Sequence, residues 1–425
     1  MTAPNPTPGR GWKDVRMRGF QDRTEVADAL AILSARLSPL GTERVPLTEA
    51  AGRVLAADVT AEVAVPSFDR AAMDGYALRG DDSFGAGPYN PLDLAVIGEA
   101  LPGQPFLGYV GAGQAVRIMT GAPLPLGADA VLQAEAAEEI ATGSTTQVRI
   151  TEPVAPGRHV GRCGEDVAVG AVVLRSGRVL RPQDVGVLAS IGASPVTLVC
   201  RPTVAILITG DELLPCGAKP EGARIVDSNS VMLAALIRRD GGLPAVAPII
   251  PDQREAVRAA LLAAAADLVL ISGGSSVGQE DHAPRVLAEV GELCVHGVAL
   301  RPAAPAGFGF LPGAVPRPVF LMPGNPVSCL CAYDLFAGPA VRRLGGRSME
   351  MSYRRVALPL ARKIASAVGR VDYVRVTVHD GQVEPLATSG ASILSSTTRA
   401  DGFVLVPRDS EGYAPGETVC VYLYD

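Results

Sequence analysis

TVAILITG (203–210), DLVLISGG (267–274) and PVFLMPGNP (318–326) are continuous apolar runs that break into glycine-bearing turns. Runs without polar alternation mark strands covered on both faces. Helical patterns lie between them. ARIVDSNSVMLAALIRRDGG (223–242) closes on two glycines, and REAVRAALLAAAA (254–266) follows another apolar run, AVAPII (245–250). Further helices are predicted around Ala283–Val290 and through Leu330–Leu344. Strand alternating with helix over about 140 residues gives a three-layer α/β domain with a mostly parallel sheet.

Outward from this stretch the elements shorten. After Gly345 come YRRVALPL, DYVRVTV, FVLVP and TVCVYLY, the strands of a small β-barrel. Toward the N-terminus, Pro88–Ile150 is β-rich, with LDLAVIGEA, QAVRIMTGA, DAVLQAE and TQVRI as its strands. Pro153–Pro195 is short-stranded around a helix at Pro182–Ser190, and Glu43–Val65 alternates short strands with turns. Thr24–Leu37 is an amphipathic helix, and the first nineteen residues read as a flexible tail.

The chain has 425 residues, 38 basic against 44 acidic, for a net charge of −6, which argues against a nucleic-acid coat. Only Lys13, Lys219 and Lys363 are lysines, so arginine carries almost all positive charge. The seven cysteines form no CxxC pair and the four histidines are scattered, so they read as reduced thiols of a cytoplasmic protein with no zinc site. The N-terminus has no apolar signal core, and Val199–Ile208 and Ala256–Ile271 are too short or too charged to span a bilayer.

Open α/β sheets bind ligands outside the carboxyl ends of their strands. Three motifs fall there: Thr209-Gly210-Asp211-Glu212, Ser272–Gly278 (SGGSSVG) and Pro323–Ser328 (PGNPVS). Glycine permits close backbone approach and helix-start amides hold anions, so together they read as a pocket for a phosphorylated or otherwise anionic small molecule. None matches a P-loop or GxGxxG. Asp211, Glu212, Asp227, Asp252, Glu280 and Asp281 gather in the same places, as Mg²⁺ ligands or as helix caps, Asp252 above all suiting a cap.

These motifs carry a family resemblance. PSFDRAAMDGYAL (66–78), RIMTGAPLPLGADAV (117–131), GEDV (164–167), TGDELL (209–214), SGGSSVG (272–278) and PGNPVS (323–328) occur in the order and approximate spacing of the MoeA/gephyrin E-domain family, the molybdenum insertases. The resemblance runs from Thr24 to the C-terminus. It implies an elongated homodimer of four-domain subunits, with its active site at the subunit interface. The tail is 1–19, a discontinuous N-terminal domain takes 20–60 and 153–199, and a lid 61–152. The α/β molybdopterin-binding domain takes 200–346 and the barrel 347–425. The implied reaction turns adenylylated molybdopterin plus molybdate into molybdenum cofactor and AMP with Mg²⁺, and a molybdopterin adenylyltransferase is a candidate partner. Carried over by position, the catalytic residues are Asp74, Thr120, Glu212, Asp252, Asp281 and Arg301, with Glu212, Asp252 and Asp281 on the metal. The binding residues are Asp166, Gly210, Ser272, Gly273, Gly274, Gly278, Pro323, Gly324, Asn325, Pro326, Arg370 and Arg375.

The match thins where the family carries a KxxxKPGKP-like segment and a GSGMLSS-like loop. Gly297 and Ala304 stand at two lysine positions, Arg301 at the third, and Ala391 at a serine. A cation about 4 Å from an anion is worth ~1 kcal/mol in water and ~4 at an effective dielectric of 20. The departures therefore leave three readings: a working insertase, a paralogue that binds a pterin or nucleotide-like ligand without inserting metal, and a scaffold on the same fold.

Overall fold

A computed structural model of the chain describes residues 23–142, 145–274, 282–387 and 390–424. The chain folds into two units: residues 44–198 form one, and residues 199–425 with those up to 43 form the other.

The second unit is organised by a six-stranded sheet. Its strands are β1 (Thr203–Ile208), β2 (Leu243–Val246), β3 (Leu268–Ser272), β4 (Glu292–His296), β5 (Gly307–Leu311) and β6 (Arg317–Met322), in the order β2-β1-β3-β6-β5-β4. β2, β1, β3 and β6 are mutually parallel, while β5 runs antiparallel to both neighbours. The connecting helices are α1 (Asn229–Arg239), α2 (Arg254–Ala263), α3 (Ala283–Val290) and α4 (Pro326–Ala332). Apolar side chains of β1 go to both faces: Val204, Ile206 and Ile208 join one core, Ala205 and Leu207 the other. Alternation between two buried faces is why the run reads as uniformly apolar. Helix Val26–Arg36 adds Ala29 and Leu33 to the first core, each fully buried. Burying a leucine contributes ~1.5–3 kcal/mol.

Three expectations shift. The apolar run AVAPII is not the strand: β2 covers Leu243–Val246, an exposed edge, and stops before Pro248. The helix expected at Leu330 begins at Pro326, with proline in its first turn where no N–H is needed. It continues through one π-helical turn, Tyr333–Ala337, into a helix Gly338–Leu344. β4 and β5 are additional strands. The four barrel strands stand as expected, at Arg354–Pro359, Val371–His379, Gly402–Val406 and Thr418–Leu423. The strand Gln382–Ala387 pairs with Val371–His379, and Leu360 bridges Val383, which closes the sheet around a core of Leu360, Val374, Val404 and Val421.

The π turn places Asp334 in the seam between helix and barrel. Its carboxylate is fully buried and accepts from Tyr353 Oη (2.8 Å), Tyr373 Oη (3.1 Å) and Arg239 (3.3 Å). Burial raises the Asp334 carboxyl above its usual range against the pull of Arg239. This network fixes the barrel against the α/β layers, and so positions everything that lies between them.

In the 44–198 unit, six strands order as Ala130–Gln133, Gly75–Leu78, Gln114–Ile118, Leu92–Ala100, Thr145–Ile150 and Ala137–Thr142. All four expected strands of the β-rich stretch are present. A separate core around Leu55, Leu180, Leu188 and Leu198 holds the helix Pro182–Ser190. No helix among the described residues is long and apolar enough to cross a membrane. None of the seven cysteines, all among the described residues, is in a disulfide.

Candidate functional site

Between the α/β layers and the barrel lies a cavity of ≈ 430 Å³. Pro323, Gly324 and Asn325 line it from the β6–α4 turn, Ser328 from α4, residues 300–305 from the connection between β4 and β5, and Arg370, Gly390 and Ala391 from the barrel. Among the described residues, Arg23, Arg301 and Arg370 are its charged side chains and no carboxylate lines it. The connection is drawn across because Leu300–Arg301 pairs in parallel with Val371–Asp372, making it a strand of the barrel sheet. The Val327 N–H donates to the Ala391 carbonyl at 3.0 Å and ties the start of α4 to the barrel loop. That amide is therefore spent, so the guanidinium groups supply the charged anion donors of this pocket.

Directly behind the arginines sits Asp372, 1% exposed. It accepts from Arg301, from Arg370 Nε at 3.0 Å and from Ser366 Oγ at 2.8 Å. The Arg301 Nε is buried without a hydrogen-bond partner. Two guanidiniums against one carboxylate leave the pocket cationic.

The strand ends form a second cluster. Thr209 Oγ1 at the end of β1 donates to Asp252 Oδ1 at 2.7 Å, and the Asp252 N–H reaches Asp211 Oδ1 at 3.3 Å. Asp252 is thus tied to a strand end, and α2 has no side-chain cap. Asp227 is the carboxylate that caps, accepting the Ser230 N–H in the first turn of α1 at 3.0 Å. Asn229 donates to Ser272 Oγ (2.9 Å) and the Gly324 carbonyl (2.8 Å), joining β3 to the pocket-lining turn. Gly324 and Gly273 approach closely: a Cβ on Gly324 would lie 3.8 Å from the Gly273 Cα. Among the described residues no three Asp, Glu, His or Cys side chains meet as a metal cluster.

In the 44–198 unit, the Asp74 carboxylate accepts both the Thr120 N–H (2.6 Å) and its hydroxyl (2.7 Å). These bonds hold the Asp74 carboxyl below its usual range. Asp69 is held by Arg162 (2.7 Å) and by the Cys163 N–H (2.8 Å), close in sequence to the exposed Asp166.

The structure thus gathers Arg301, Arg370, Pro323, Gly324 and Asn325 at one pocket, with Ala304 and Ala391 in its wall. Pro326 starts α4 just behind. Glu212, Gly210 and Asp252 follow β1 and β2, and Asp74 pairs with Thr120. Ser272 is buried under Asn229, and Gly273 and Gly274 follow it at the end of β3. Arg375 is 1% exposed and stands outside the lining, on the strand face it shares with Tyr373, opposite the barrel-core residues Val374 and Val376. Gly297 also stands outside the lining. Gly278, Glu280 and Asp281 lie outside the described residues. Arg23, Ser328 and Asp372 went unread. Asp372 carried a signal, because Arg370 and Asp372 are two apart at a strand start and so share a face.

Three family models match the chain. They are the MoeA N-terminal region (domain I and II) over residues 24–192, a probable molybdopterin binding domain over 205–343 and the MoeA C-terminal region (domain IV) over 357–424. The chain is similar to molybdopterin molybdenumtransferase 2 of Mycobacterium tuberculosis, 34% identical over 89% of this chain and 94% of the relative. It is also similar to molybdopterin molybdenumtransferase of Haemophilus influenzae, 33% identical over 90% of this chain and 94% of the relative. A crystal structure of a molybdopterin biosynthesis MoeA protein from Pyrococcus horikoshii superposes with a TM-score of 0.80 at 33% identity, covering 95% of this chain and all of that one. Sequence motifs, the multidomain α/β fold with its sheet-rich domains, and these near-complete matches agree: the chain belongs to the MoeA family.

Proposed function

We propose that this chain is a molybdopterin molybdenumtransferase, which takes adenylylated molybdopterin and molybdate to molybdenum cofactor and AMP. Family membership supports a role in molybdenum-cofactor biosynthesis. The observation that carries the specific reading is the pocket: two guanidiniums anchored on one buried carboxylate, in a wall whose described residues include no acidic side chain. A guanidinium presents parallel donors that match a tetrahedral oxyanion, and weaker hydration than an ammonium suits it to a partly dry site. Through Gly324 the pocket adjoins the strand ends, where the adenylylated pterin would lie against Gly273 and Asp252.

Glu212 and Asp252 are hard oxygen donors of the kind Mg²⁺ takes, and they would hold it together with Asp281. Bound there, Mg²⁺ would neutralise charge on the phosphates. Asp74, oriented by Thr120, belongs to the proposal as the acidic group supplied by the 44–198 unit. A homodimer in the cytoplasm, receiving adenylylated substrate from a molybdopterin adenylyltransferase, completes the reading.

One observation favours a second reading. Ala304 and Ala391 line the pocket and bring neither charge nor hydroxyl to it. A paralogue that holds the pterin without inserting metal would have no use for either. Charge at Arg301 separates the two. In the insertase, Arg301→Ala and Arg370→Ala each weaken molybdate binding at least ~10-fold in equilibrium dialysis, since a lost charge-assisted pair in a partly desolvated site is worth a few kcal/mol. Unchanged molybdate affinity in both variants removes the pocket from the mechanism.

A further inference from the structure

We infer that Asp372 is a positioning residue: it locks Arg301 and Arg370 into one rigid donor pair aimed at the pocket. The inference rests on the oxyanion reading above and assigns the cause of the pocket's geometry to a residue outside its wall.

Four observations carry it. Arg301 and Asp372 are direct register partners on adjacent parallel strands, so their backbones are fixed before the side chains meet. Asp372 takes one guanidinium on each oxygen: Arg301 on Oδ2 and Arg370 on Oδ1. Ser366 Oγ donates to Oδ2 at 2.8 Å, which fixes the carboxylate itself. Both arginines remain 27–33% exposed toward the pocket while Asp372 is 1% exposed, so the carboxylate is the buried foot of a two-pronged fork. Arginine side chains otherwise sample many rotamers, and an anion must order them when it binds. Here the ordering is done by the fold. The arrangement also fits the wall, where Ala304 and Ala391 bring neither charge nor hydroxyl, so the guanidiniums carry the charged contacts to an oxyanion.

Charge alone makes the opposite prediction, and that makes the inference testable. Asp372 subtracts a negative charge from an anion site, so by Coulomb's law neutralising it strengthens anion binding. If positioning dominates, neutralising it weakens binding.

The test is equilibrium dialysis of the full-length protein with molybdate, the bound molybdenum being quantified. Wild type, Asp372→Asn, Ser366→Ala, Arg301→Ala and Arg370→Ala are compared, with a thermal unfolding midpoint for each. Positioning predicts that Asp372→Asn raises the molybdate Kd by about 10-fold or more, as loss of an orienting partner does around other tightly ordered sites. It also predicts that KM for molybdate rises while KM for the adenylylated pterin holds, a split that general destabilisation does not produce. Ser366→Ala raises Kd by roughly 2- to 5-fold, since one of three bonds to the carboxylate is lost. Asp372→Asn that binds molybdate as tightly as wild type, or more tightly, overturns the inference. Should that variant fail to fold, Ser366→Ala decides: unchanged affinity overturns it. If the arginine variants lose molybdate while Asp372→Asn keeps it, only the positioning role falls. If the arginine variants bind like wild type, the oxyanion reading falls and takes this inference with it.

Discussion

Ala303 sits in the wall of the anion pocket at φ +100°, one of only three non-glycine residues with positive φ among those described. A Cβ there is strained by about 1–3 kcal/mol. Glycine at this position relieves the strain but adds freedom to the unfolded chain, at a cost of ~0.4–1 kcal/mol. Ala303→Gly is therefore expected to stabilise the protein by about 1 kcal/mol in denaturant titration. Gly297, by contrast, has φ +90° and stands outside the lining, so a lysine placed there is strained. Arg301 and Arg370 were named from the sequence through the positions of the family resemblance, and the structure places both in one pocket wall. The site was not legible where chemistry depends on pairing. Asp372 becomes functional only because a loop 71 residues earlier in sequence adds a strand beside it.

Among the elements, the parallel core β1, β3 and β6 was legible because burial on both faces leaves no polar alternation to misread. β4 and β5 were not read as strands, and β5 carries two glycines. In GFGFL (307–311) a Cβ at Gly309 would fall 1.9 Å from the Glu292 carbonyl oxygen, so the strand pairing itself demands glycine. The helix Pro182–Ser190 was legible to the residue, since Pro182 and Asp184 mark its first turn. Asp184 accepts from Arg178 and Arg181 and from the Arg181 N–H, and these bonds hold its carboxyl well below the usual range. A depressed folded pKa stabilises above the unfolded value near 3.9 and is lost as pH falls through the folded one. Asp184→Ala is expected to cost ~1 kcal/mol at pH 7, and the gap to wild type should shrink below pH ~4. Urea denaturation at the two pH values measures it, and a gap that stays constant denies the carboxylate its role.

For the whole molecule, the sequence-predicted acidic residues fall into both units: Asp74 and Asp166 in residues 44–198, Glu212 and Asp252 in the other. The family resemblance assembles them across two copies. Light scattering at micromolar concentration should then give about twice the chain mass of 43.8 kDa. A monomer under these conditions breaks the shared-site proposal while leaving the arginine pocket intact, because that pocket is built within one unit. The central claim is that the arginine pair, without the family's lysines, supports metal insertion. It is tested most directly by following AMP release from adenylylated molybdopterin on purified wild-type protein with Mg²⁺, with and without molybdate. Release should depend on molybdate and disappear in Arg301→Ala. Pterin binding with no molybdate-dependent AMP would contradict the claim and leave the non-inserting paralogue.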